Sequence, residues 1–179
     1  NIHNEARRIQ RIVDRMLELA ALENRKRFRR IESVKLRPLV KTVVESKEPM
    51  LSRKRLTTRI HIPDGLTVKG DGFLLHQAVS NLLQNALDFS PEGGVIRIDA
   101  RCWRDRVRIM VADEGPGIPD FARDKIFDKF FSLQRPDTGK KSTGLGLNFV
   151  REVATLHGGE VQLEAGAEGG AAAIMEIDR

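Results

Sequence analysis

The run Phe73 to Ser90, FLLHQAVSNLLQNALDFS, constrains the fold more than any other stretch of this chain. Leu74, Leu75, Ala78, Val79, Leu82, Leu83, Ala86, Leu87 and Phe89 recur at three- and four-residue intervals, so the spacing predicts a helix with one broad buried face. Asn81 and Asn85 stand one turn apart and share a side of that helix. Two readings fit the pair. A buried helix often carries a polar residue that bonds a neighbouring loop. Alternatively the amides face a site, where a carboxamide oxygen is a neutral, hard ligand for a magnesium ion held mainly by phosphates and water.

The rest of the chain supplies the layer this helix needs. Val34 to Leu36 starts a strand, Arg37 to about Ser52 reads as a helix, and Thr57 to Ile62 and Leu66 to Lys69 alternate as strands before Asp71 caps the organising helix. Pro91-Glu92-Gly93-Gly94 turns the chain. Val95 to Trp103 and Arg106 to Val111 form a hairpin across Arg104-Asp105. A helix from Leu145 to about His157 stops at Gly158-Gly159, and Glu160 to Glu164 pairs with Ala172 to Ile177 through GAEGG. Hairpins outnumber crossovers, which excludes a doubly wound dinucleotide fold. The expected fold is an α/β (α+β) sandwich: one open, mixed, mainly antiparallel sheet covered on one face by about three helices, preceded by one long helix.

Three glycine-bearing elements follow the asparagine pair. The strand ending at Val111 runs into Asp113-Glu114-Gly115-Pro116-Gly117-Ile118-Pro119, then come Ile126-Phe127-Asp128-Lys129-Phe130-Phe131, then Ser142-Thr143-Gly144-Leu145-Gly146-Leu147 opening a helix. In this order they resemble the ATP-binding domain of sensor histidine kinases, within the superfamily that includes gyrase, Hsp90 and MutL. NLLQNALDFSPEGG and FDKFFSLQRPDTGKKSTGLGLNFVREVATLHGGEV are similar to the CreC type of kinase. The resemblance covers Val34 to the carboxy terminus and divides the chain at residue 32: 1–32 as the second helix of a dimerisation hairpin, 33–179 as the catalytic ATP-binding domain.

The resemblance implies a site for ATP or ADP with Mg²⁺, Asn85 being the metal ligand and Asn81 its neighbour. It makes Asp113 the reader of the adenine amino group, since a carboxylate accepts from adenine and repels the guanine carbonyl. Phe89 stands where a tyrosine is frequent and keeps a ring for the base. Gly115, Gly117 and Ile118 let backbone approach the nucleotide, although a bare GxG fits an ordinary turn equally well. Ser142, Thr143, Gly144, Leu145, Gly146 and Leu147 present amides to phosphate at a helix start. Between them, Asp120 to Lys141 is expected to form a mobile lid anchored by Phe127, Phe130 and Phe131. Asp88 occupies a position where many members carry a Lys or Arg that reaches the nucleotide. Phosphate contacts must then come from Lys129, Arg135, Lys140 or Lys141, with Lys140 and Lys141 favoured for their nearness to the glycines.

Charge argues against nucleic acid as a partner. The chain carries +6, but residues 1–35 hold ten basic and five acidic side chains, leaving the ATP-binding portion nearly neutral. The run ENRKRFRR reads as a solvated helix end. One cysteine, Cys102, rules out an internal disulfide. No apolar run reaches membrane-spanning length, so the chain itself is expected to be soluble, and the resemblance implies the cytoplasmic portion of an inner-membrane-anchored sensor.

Ile2, Ala6, Ile9, Ile12, Val13, Met16, Leu19 and Ala20 form a stripe made to pack on a helix, either a second copy, an upstream helix or the chain's own domain. His3 is followed by Asn4 and no proline occurs before Pro38, so it lacks the family's phosphoacceptor pattern. The first hairpin helix and its histidine are therefore expected outside this chain, which is not expected to phosphorylate itself. The resulting expectation is a kinase domain that transfers the γ-phosphoryl of Mg-ATP to that histidine for relay to a response regulator, and that dimerises through the hairpin. The alternatives are a nucleotide-binding regulatory module and a gyrase/Hsp90/MutL-like ATPase. Such ATPases commonly place a water-activating glutamate where this chain has Asn81, and an amide is no base at neutral pH.

Overall fold

A computed structural model describes residues 2–24 and 30–179; the basic run at 25–29 and the side chain of His3 lie outside it. In chain order the elements are α1 (Ile2–Glu23), β1 (Glu32–Lys35), α2 (Leu36–Arg53), β2 (Thr57–His61), β3 (Thr67–Gly70), α3 (Gly72–Phe89), β4 (Val95–Trp103), β5 (Arg106–Ala112), a short 3-10 turn (Asp120–Ala122), α4 (Gly146–Leu156), β6 (Glu160–Ala165) and β7 (Ala171–Asp178).

The organising helix begins where its cap predicts. Asp71 is extended and its Oδ1 accepts from the backbone N–H groups of Phe73 and Leu74 at 3.1 and 3.2 Å. Leu74, Leu75, Ala78, Val79, Leu82, Leu83, Ala86 and Leu87 are all buried. At about 1.5–3 kcal/mol for each large side chain, that face outweighs every polar contact the helix makes.

Its counterpart is a five-stranded sheet in the order β2-β4-β5-β7-β6. Only β2 and β4 run parallel, and α3 lies in the crossover between them; the other pairs are antiparallel. Ile96, Ile98, Ala100, Val107, Ile109, Val111, Ala173, Met175 and Ile177 alternate onto one face and join the helices in a single core. Arg97, Asp99, Arg108 and Glu176 alternate onto the other. The expected sandwich is present, with one difference. β1 and β3 pair with each other, Val34 opposite Val68, in a separate two-stranded sheet. Each runs straight into a helix, β1 into α2 and β3 through Asp71 into α3, so both belong to the helix layer.

His157 ties that layer together. Its Nε2 accepts from the Asp71 backbone N–H at 3.1 Å, which leaves the proton on Nδ1 to donate to the Val153 carbonyl at 2.7 Å. Burial pushes its pKa below the ordinary histidine value, against the opposing pull of Val153 and Asp71, so the ring is held neutral.

The stripe on α1 divides. Leu19 and Leu22 are buried and join the core, while α1 packs on α4 and Glu23 pairs with Lys129 at 2.6 Å. Ile9, Val13, Met16 and Leu17 remain exposed on the same helix. Docking on the chain's own domain therefore accounts for the carboxy-terminal end of α1 and leaves these apolar side chains of its middle uncovered among the described residues.

Candidate functional site

The side of α3 that bears Asn85 and Phe89 forms one wall of a partly open cleft. The sheet contributes Val111, Asp113, Ala171 and Ala173, the glycine turn Gly117 and Ile118, and the connection before α4 Phe131, Ser132, Leu133, Ser142 and Gly144; Gly146 and Leu147 close it. The walls are mostly apolar and the polar groups few, which suits a flat heterocycle.

Asp113 is the main polar group. It is only 7% exposed, and its Oδ1 accepts from Gly115 N–H at 2.8 Å and Ala171 N–H at 3.3 Å. Oδ2 has no donor among the described residues. Burial pushes the carboxyl above the usual carboxylate range, and the two backbone donors pull it partly back. A buried carboxylate with one unused oxygen, facing an apolar cleft, is built to take a donor from a ligand.

The backbone around Asp113 explains the glycines. Gly170 has a φ of +72°, and a Cβ there would run into the Asp113 carbonyl, so β7 can reach Asp113 only through glycine. Gly115 does not line the cleft. A Cβ there would collide with the Phe89 carbonyl, so its function is the close packing of the turn on the end of α3. Gly117 does line the cleft and has a φ of +77°.

The opposite end suits an anion. α4 starts at Gly146 without a side-chain cap, leaving its first N–H groups to whatever lies before them. Gly146 abuts Asn81, whose Oδ1 would lie 3.6 Å from a Cβ at that glycine. Asn81 accepts a 3.4 Å hydrogen bond from Arg15 of α1, and its Nδ2 is buried without a partner among the described residues. Gly144, φ +69°, passes against the backbone of Phe130 and Phe131 and accepts from Phe130 N–H at 3.0 Å. Asn85 lines the cleft with no hydrogen-bond partner among the described residues.

Other sequence-derived candidates fall outside. The Phe130 ring is 55% exposed, whereas Phe127 packs on the core beneath Arg151 and Phe131 faces the cleft. Lys140 and Lys141 are exposed and do not line it; Thr143 does not either, and Leu145 is buried in the core. Sequence reasoning missed Ile126, Ser132, Leu133, Leu163 and Gly170. Only the paired glycines 169–170 carried a local signal there, and they read as an ordinary turn.

Residues 70–179 match the family model described as histidine kinase-, DNA gyrase B-, and HSP90-like ATPase. The chain belongs to this family. Within it the chain is a catalytic, ATP-binding domain of the two-component sensor histidine kinase type. The sensor protein CreC of Escherichia coli is 41% identical over the whole chain, which spans 37% of that relative's length. The nucleotide-free catalytic domain of the histidine kinase ThkA superposes with a TM-score of 0.74 at 29% identity, covering 83% of this chain and 97% of that one. ThkA in complex with the response regulator TrrA gives 0.76 at 27%, covering 99% and 49%. Full-length ShkA in complex with AMPPNP gives 0.80 at 28%, covering 94% and 35%. In this histidine kinase domain, Asn85, Asp113 and the α4 start line one cleft, and Asn81 lies behind Gly146 outside its lining. No helix among the described residues is long and apolar enough to cross a membrane.

Proposed function

We propose that the cleft binds Mg-ATP and that the domain passes its γ-phosphoryl group to a histidine on a hairpin helix outside these 179 residues, for relay to a response regulator. Asp113 supports this most directly: a carboxylate kept in an apolar cleft at the cost of burial, with both backbone donors on one oxygen, selects an adenine amino group and rejects guanine. Asn85 would hold the metal, its amide oxygen being a hard, neutral donor with no hydrogen-bond partner among the described residues. The metal, when bound, neutralises charge on the phosphates. The uncapped start of α4, Gly144 and Gly146 would hold the phosphate oxygens, and the buried Nδ2 of Asn81 gives them a further donor.

The protein's own part in transfer is positioning. Asn81 stands where a water-activating carboxylate would have to be, and Arg15, its neighbour, is not a base at neutral pH either. The phosphoryl group is therefore kept for a protein nucleophile. In this reading residues 1–32 are the second helix of the hairpin, and the exposed Ile9, Val13 and Met16 are its dimer-forming face in the longer protein.

The test supplies the purified chain with Mg²⁺, γ-labelled ATP and a separate polypeptide carrying the hairpin and its histidine. Label is expected on the hairpin, acid-labile and base-stable as a phosphoramidate is, and not on the chain alone. Label on His3, or none on the hairpin while ATP binds, refutes the transfer reading.

A further inference from the structure

Asp88 is the least expected residue of α3. It follows Asn85 by three positions and precedes Phe89, so it sits on α3 beside the cleft lining, and a bare carboxylate so close to phosphates would repel them. The structure does not leave it bare. Arg135 places Nη2 2.7 Å from Asp88 Oδ2, and Gln84 donates to Oδ1 at 2.9 Å. The carboxylate is 12% exposed and the guanidinium 30%. Burial raises the Asp88 pKa, while Arg135, Gln84 and Lys54 act in the opposite direction. Such a carboxylate stays charged only if a cation stays with it.

Arg135 reaches Asp88 from the connection that carries cleft residues Ser132 and Leu133. It is not on a loose loop. Its N–H donates to the Lys140 carbonyl at 3.0 Å, its carbonyl accepts from Gly139 at 2.9 Å, and Gln134 pairs with Lys141 in an antiparallel bridge. The tip of that small hairpin is fastened too. Asp137 meets Lys54 at 2.6 Å, and the same Lys54 donates to the Leu87 carbonyl at 2.8 Å. Lys47 donates to Gln84 at 3.0 Å, so the half-buried side of α3 that bears Gln84 and Asp88 faces the cations Lys47, Lys54 and Arg135, with Asp137 beside them. The local balance is positive although α3 itself contributes an acid.

A donor of Arg135 other than the one on Asp88 is buried and unmatched. Its Nε–H has no acceptor among the described residues, which is costly unless a ligand brings one. A guanidinium has five donors on a planar fork and can hold a carboxylate with one edge and a phosphate oxygen with another; a lysine cannot divide its charge in this way. Lys140 and Lys141, favoured by sequence proximity, are exposed and make no ion pair among the described residues.

We propose that Arg135 is the cation that meets the nucleotide's phosphates, and that Asp88 is its positioning residue: the cation missing from α3 is delivered to the same place by the lid and held there by the acid that replaced it. This rests on the cleft being an ATP site. The exchange makes lid closure and phosphate binding one event, since the charge reaches the ligand only when the hairpin 134–141 lies against α3.

Calorimetric titration of the 179-residue chain with Mg-ATP, Mg-ADP and adenosine tests it. Arg135→Ala is expected to weaken ATP by about tenfold or more, a charged hydrogen bond's worth, and leave adenosine within about twofold. Asp88→Asn, which frees the guanidinium from its anchor, is expected to fall between. Asp88→Lys added to Arg135→Ala puts a cation back on α3 and is expected to restore most of the ATP affinity. Equal losses for ATP and adenosine would make the pair a lid fastening only and overturn the proposal. So would unchanged ATP affinity in Arg135→Ala, or a double variant no better than Arg135→Ala. A wild-type chain that binds adenosine but not ATP also overturns it, whereas one that binds neither overturns the ATP-site reading on which it rests.

Discussion

Replacing Asp113 by asparagine separates a carboxylate kept for a ligand from one kept for the fold. Asparagine retains the size and the Oδ1 that accepts from Gly115 and Ala171, so the turn should persist. What changes is Oδ2, which becomes an NH₂ facing the adenine amino group, donor against donor. Losing a hydrogen bond to a charged acceptor costs about 1.5–3 kcal/mol, and 1.4 kcal/mol is tenfold, so ATP affinity should fall by roughly 10- to 150-fold. Stability should move the other way. The folded-state pKa of Asp113 is raised, so its ionised form costs stability at pH 7, and the cost vanishes below the unfolded value of about 3.9. Asp113→Asn should therefore melt at or above the wild-type temperature at pH 7, with the difference closing in acid. For the same reason wild-type ATP affinity should drop as the pH falls through the raised pKa, and the variant's should not follow. Calorimetry across pH with parallel thermal melts reads both. A variant that binds ATP normally, or that unfolds at neutral pH while wild type does not, refutes the reasoning.

Asn85→Ala should remove the Mg²⁺ dependence of nucleotide binding and leave the melting temperature within a few degrees, because this amide bonds no described residue; titrations with and without chelator check it. Asn81→Glu puts a carboxylate where a water-activating base would act, and ATP turnover measured by phosphate release should rise by about tenfold or more, within the usual contribution of a general base. Unchanged turnover would mean that Asn81 is not beside the reacting phosphate. For His157 the folded pKa is lowered, so its contribution to stability is complete above the unfolded value of about 6.5 and is lost as pH falls toward the folded one. The melting temperature should decline below about pH 6.5, and His157→Gln, which keeps an acceptor but does not titrate, should lack that part of the decline.

What the sequence determined by itself is whatever repeats within one element or closes over a few residues. α3 was legible because its apolar spacing and its cap at Asp71 are local properties, and eight of its side chains are buried as the period requires. The β4–β5 hairpin was legible from two alternating runs meeting at Arg104, which takes a φ of +58°. The cleft's main groups, Asn85, Asp113, Gly117, Gly144 and Gly146, were legible because their order matches a known arrangement. Tertiary structure alone decided which distant groups meet. Nothing near Gly115 or Gly170 in the chain announces that Phe89 and Asp113 need their missing Cβ atoms. Nothing local pairs β1 with β3 outside the main sheet, or divides the α1 stripe between a buried Leu19–Leu22 end and an exposed middle. Asp88 read as a residue hostile to phosphate because sequence shows a charge without its partner. Arg135 is far along the chain, and only the fold of the intervening connection brings its guanidinium to the carboxylate and reverses the meaning of that acid.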